Sequence, residues 1–116
     1  MRYEVPTAFL SKEIMRVLQA HRGRQNAMPR RDLWARLTLF NPRLSDRDLR
    51  EIYSRLPVCS CPEGLFIPAT ADEVREFKEY IRKSWGPIVA HRRVATIVAY
   101  YPKLDPTVWK QQELGL

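Results

Sequence analysis

The stretch SDRDLREIYSRLPVCSCPEGLFIP, residues 45–68, decides the fold. Ser45 is a strong N-cap residue, because its hydroxyl accepts from the open amides of a first helical turn. Asp48, three positions on, comes close to a capping box. Leu49, Ile52, Tyr53 and Leu56 then recur at i, i+3, i+4 and i+7, one apolar stripe on a helix of period 3.6. Asp46, Arg47, Arg50, Glu51, Ser54 and Arg55 fall outside that stripe. Pro57 ends the helix. Residues 58–61 and 65–68 read as two short strands around Pro62-Glu63-Gly64, a turn whose glycine supplies positive φ.

Upstream, Leu10, Ile14, Val17 and Leu18 share one face of a helix expected from Thr7 to about Arg22, with Gly23 as its C′ residue. Residues 23–28 form a polar connection that has room for a short strand. Pro29 suits the first turn of a second helix over roughly 29–39, with Leu33, Leu37 and Phe40 inward and Trp34 at the border. Asn41-Pro42-Arg43 stops it, since the residue before proline avoids the α region. Downstream, Thr70 and Glu73 form a second capping signature, opening a helix with Val74, Phe77 and Ile81 inward. Trp85-Gly86-Pro87 breaks or kinks that helix before a helical apolar stretch over 88–101. Asp105 and Pro106 signal a short terminal helix holding Val108, Trp109 and Leu114.

Charge points toward polyanions. The chain of 116 residues carries a formal net charge of +7 and a pI near 9.8. Residues 1–55 hold 12 Lys+Arg against 6 Asp+Glu, whereas residues 56–116 hold 8 against 7. Arginine dominates the basic set, the side chain suited to bidentate contact with phosphate and guanine. An apolar fraction of 45% is that of a globular chain. No stretch approaches the roughly 18 apolar residues of a membrane span, and no secretory h-region opens the chain, so a cytoplasmic location is expected. Cys59 and Cys61 are too close to staple the fold and read as reduced, half-buried thiols; with only His21 and His91 beside them, no metal site is expected. No Ser/His/acid set, paired carboxylates, Gly-rich fingerprint or P-loop is visible, so neither catalysis nor a cofactor is expected.

From residue 23 onward, GRQNAMPRRDLWARLTLFNPRLSDRDLREIYSRLPVCSCPEGLFIP resembles the winged-helix module of small phage and prophage proteins. It is also similar to the amino-terminal domain of biotin-operon repressors. The likeness rests on RGRQNAM (22–28), LSDRDLR (44–50) and the pair PVCS and EGLFI (57–60 and 63–67). The connection LFNPRL is longer than the short turn usual in that motif. The resemblance implies a mainly α protein with a small β-hairpin: a winged helix-turn-helix over 1–70, with residues 71–116 as a helical extension serving core packing or dimerisation.

That resemblance implies double-stranded DNA binding, as a transcription regulator or a phage-type replication accessory factor. The third helix enters the major groove, so Ser45, Asp46, Arg47, Arg50 and Ser54 are the candidate base-reading residues. Arg22, Arg24, Arg30, Arg31, Arg43 and Arg55 are candidate phosphate contacts, which fix register without reading sequence. The bland alternative is a solvated helix face whose arginines pair with Asp46, Asp48 and Glu51. The acidic, short tip Pro62-Glu63-Gly64 argues against minor-groove insertion. Ile88, Val94, Ile97, Val98, Tyr101 and Trp109 are the candidate homodimer surface, since half-site recognition normally uses a two-fold pair. A protein-interaction adaptor that kept the fold without DNA binding is the competing class. Single-stranded nucleic acid ranks last, because no exposed aromatic stacking platform is evident. The closing residues 111–116, QQELGL, partly resemble bacterial sliding-clamp-binding peptides.

Overall fold

A computed structural model describes residues 5–107; the expected terminal helix around Trp109 and the clamp-like residues 111–116 lie outside them. Among the described residues the architecture is mainly helical with one two-stranded antiparallel hairpin. The α-helices are α1 (Thr7–Leu18), α2 (Arg30–Leu37), α3 (Asp46–Tyr53), α4 (Ala71–Trp85) and α5 (Pro87–Tyr100), with strands β1 (Cys59–Cys61) and β2 (Gly64–Phe66) between α3 and α4. No helix among them is long and apolar enough to cross a membrane.

Two apolar clusters meet across the hairpin. Leu10, Ile14 and Leu18 of α1, Leu33 and Leu37 of α2, and Leu49, Ile52 and Tyr53 of α3 pack with Val58, Leu65 and Ile67 in the first. Cys59 and Phe66, on the opposite face of the ribbon, pack with Val74, Phe77, Ile81, Ala90 and Ile97 of α4 and α5 in the second. Alternate residues of a strand point to opposite faces, so three paired positions seal two cores.

Helix α1 ends four residues before the expected Arg22, and Gly23 is not its C′ residue. Residues 21–23 are drawn instead into strand-like pairing: the Gly23 amide donates to the Ile67 carbonyl at 2.9 Å, and the Ile67 amide to that of His21 at 3.0 Å. The same connection returns to the ribbon at Met28, which exchanges both backbone bonds with Leu65 at 2.8 Å each. Gly64 makes that approach feasible. It sits at φ +143°, and a Cβ there would overlap the Met28 carbonyl.

The long α2–α3 connection is tied down at two points. Trp34 Nε1 donates to the Leu44 carbonyl at 2.9 Å, and the buried Asn41 side chain accepts from the Val5 amide at 2.8 Å. At the next junction Thr70 caps α4 as expected, taking the Glu73 amide at 3.2 Å. Glu73 does not close the expected box; its carboxylate accepts from the Ala69 and Arg24 amides at 2.7 Å each, pinning the first connection to α4. Gly86, at φ +93°, separates α4 from α5, so residues 71–100 are two helices. They fold back on each other, with the Arg93 guanidinium 5.1 Å above the Phe77 ring.

Part of the expected dimer surface is interior. Ile97 is fully buried in the second cluster, and Val94 and Tyr101 pack partly against it, because α5 turns its 90/93/97 register onto α4. Ile88 is 82% exposed and Val98 half-buried.

Candidate nucleic-acid interface

Helix α3 begins with a complete capping box. Ser45 Oγ accepts from the Asp48 amide and Asp48 Oδ2 from the Ser45 amide, both at 3.0 Å. Ser45, one of the residues expected to read bases, is therefore engaged in holding the helix start. Ser54 likewise donates back to the Glu51 carbonyl at 3.0 Å. Opposite the buried Leu49, Ile52 and Tyr53, the exposed face of α3 carries Asp46, Arg47, Arg50 and Glu51.

The two arginines of that face part company. Arg47 has 84% of its side chain open and makes one 3.4 Å contact with Glu51. Arg50 is 44% open and meets Asp46 at 3.2 Å. Asp46 also takes Arg30 Nε at 3.2 Å, so one carboxylate bridges the start of α2 to α3. Arg30 is held firmly protonated by hydrogen bonding to the Tyr53 phenol first, then by Asp46. Ion pairs this exposed contribute at most about 1 kcal/mol.

Of the remaining candidates, Arg22, Arg31, Arg43 and Arg55 are exposed and form no ion pair among the described residues. Arg24 sits elsewhere, among acids. It contacts Glu63 at 3.4 Å and Glu76 at 3.7 Å, and its amide is taken by Glu73, so it is a clamp within the fold.

A cleft of about 820 Å³ opens between the α2–α3 face and the α4–α5 arm, with the hairpin tip alongside. Arg30, Arg31, Arg50 and Ser54 line one side; Tyr80, Trp85, Val89, Arg92 and Arg93 line the other. Trp85 is 60% exposed and Tyr80 40%. Two exposed aromatic side chains therefore stand across the cleft from clustered arginines that are distant in sequence, a juxtaposition that periodicity does not reveal. No local motif marks Arg92 or Arg93 in the sequence. The available signal was register, for Arg93 occupies an inward position between Ala90 and Ile97.

Arg93 is 6% exposed and has no carboxylate partner among the described residues. One terminal nitrogen donates to the Val58 carbonyl at 3.4 Å, and Nε has no hydrogen-bond partner among the described residues. Loss of hydration on burial lowers its proton affinity. On the thiol side, burial pushes Cys59 far above the ordinary range, so it stays protonated at neutral pH.

Comparison with protein families, curated proteins and solved structures returned no match.

Proposed function

We propose that the chain is a winged helix-turn-helix protein that binds double-stranded DNA, with α3 as the reading helix. One observation carries the reading: α3 buries Leu49, Ile52 and Tyr53 while Arg47 stands 84% open beside the exposed Arg30 and Arg31 of α2. The order of elements supports it, since a strand-like segment at Met28 joins the hairpin behind α2 and α3.

Arg47 is the leading base-reading residue, and Arg50 reads from the edge of the cleft. A guanidinium bidentate to guanine contributes about 1–3 kcal/mol of discrimination. Asp46 and Glu51 orient these arginines and are displaced or shared on binding. Arg30, Arg31, Arg43 and Arg55 neutralise phosphates and fix register. A second copy pairs across the outer face of α5, where Ile88 and Val98 remain accessible. Such a protein works as a transcription regulator or a phage-type replication accessory factor.

Fluorescence anisotropy on a selected site and on random duplexes tests the assignment. Arg47→Ala should weaken the selected site by about tenfold or more and random DNA little, whereas Arg30→Ala with Arg31→Ala should weaken both alike. Equal losses from both variants would reject base reading by α3.

A further inference from the structure

Arg93 is chemically costly where it lies. A guanidinium taken out of water needs a counter-charge or a full set of acceptors. Arg93 has one long hydrogen bond to the Val58 carbonyl, the face of the Phe77 ring, and an unpartnered Nε. It lines the 820 Å³ cleft, along with Arg30, Arg50 and Arg92. Arg31 is the fifth cation there, against two lining carboxylates, Glu51 and Glu63. Glu51 is already engaged by Arg47. Asp46 answers Arg30 and Arg50, so Arg31, Arg92 and the buried Arg93 are the cations left without a carboxylate, among the described residues, in the lining of the cleft.

Its other chemistry is flat and apolar. Trp85 and Tyr80 offer exposed aromatic faces at the wall formed by the arm. Rings of that kind stack on nucleobases with a gain of about 1–3 kcal/mol per base, irrespective of sequence. The volume falls within the range of about 300–1,000 Å³ that suits a small organic ligand and is far too small for a duplex about 20 Å across.

From these observations we infer that the cleft is a binding site for a nucleoside phosphate, its phosphate on Arg93 and Arg92 and its base against Trp85 and Tyr80. The unit comes either as a free mononucleotide or as one residue of a single strand. Arg30, Arg31 and Arg50, which the duplex reading uses, line one side of this cleft, but the residues proposed to hold the nucleotide, Arg92, Arg93, Tyr80 and Trp85, lie on the arm and not on α3.

Isothermal titration of the full chain tests it with four probes: adenosine monophosphate, adenosine, inorganic phosphate and a deoxythymidine tetranucleotide. Saturable binding of the mononucleotide or the tetranucleotide is expected, about tenfold or more tighter than adenosine or phosphate alone. Which of the two binds tighter identifies the source. Arg93→Met and Trp85→Ala should each reduce that affinity by about tenfold, with Lys12→Ala, on α1 and away from the cleft, as the unaffected control. Arg93→Met should also melt no lower than the parent, since an apolar side chain replaces a poorly paired buried charge. Should Arg93→Met fail to fold, the exposed-position variants Trp85→Ala and Arg92→Gln decide. No saturable binding of either nucleotide probe, equal affinity for phosphate alone, or unchanged affinity in Trp85→Ala and Arg92→Gln overturns the assignment.

Discussion

At the scale of single residues, the start of α3 shows how local chemistry separates structure from function. Ser45 and Asp48 exchange amide hydrogen bonds and are committed to the helix, while Arg47, between them, is left for solvent. Ser45→Ala should therefore lower stability by about 1 kcal/mol, read as a shift in the denaturant midpoint. Leu49, fully buried beneath the same turn, is a larger matter. Leu49→Ala should cost about 3 kcal/mol through lost transfer energy and a cavity. The two cysteines diverge in the same way. Cys59 is fully buried and held protonated by that burial, whereas Cys61 is half-buried. Alkylation of the native protein at neutral pH, followed by mass spectrometry, should modify Cys61 well before Cys59; equal rates would contradict the packing described.

Among the elements, the hairpin governs the rest because both clusters and the Met28 connection depend on it. Gly64 carries the greatest constraint, with a positive φ and the Met28 carbonyl in the space of any Cβ. Gly64→Ala should destabilise by about 3 kcal/mol or more, measured by thermal or chemical unfolding. Elements of this kind were legible in the sequence where the signal is local. The capped α3, the Pro62-Glu63-Gly64 turn and the Trp85-Gly86-Pro87 break all lie where short-range chemistry puts them. Long-range pairing was not legible. The early end of α1 follows from hydrogen bonds between residues 21–23 and Ile67, partners that periodicity does not reveal. Glu73 looked like a capping-box acid and instead takes the amide of Arg24, across 49 positions of chain. The candidate site divides on the same line. One helical stripe marks Arg47 and Arg50, whereas the cleft joins residues 30, 50, 80, 85 and 93, which only the folded chain brings together.

For the whole molecule, the α4–α5 arm decides what can approach α3. It packs on the outer face of the hairpin through Phe77, Ile81, Ala90 and Ile97, and it stands across a cleft from Arg50 while leaving Arg47 open. Ile88, 82% exposed on this arm, belongs to the proposed contact with a second copy. Ile88→Lys should leave the melting temperature nearly unchanged and convert the dimer to monomer by sedimentation; a chain already monomeric before substitution would remove the dimer from the account. Salt-dependent binding is the decisive measurement for the proposed engagement of duplex DNA by the basic α2–α3 face. With several phosphates neutralised by Arg30, Arg31, Arg43, Arg47 and Arg55, log affinity for a duplex should fall linearly with log salt, at a slope of about −0.9 per phosphate contacted. Binding that is absent at low salt, or that does not weaken as salt rises, would contradict it.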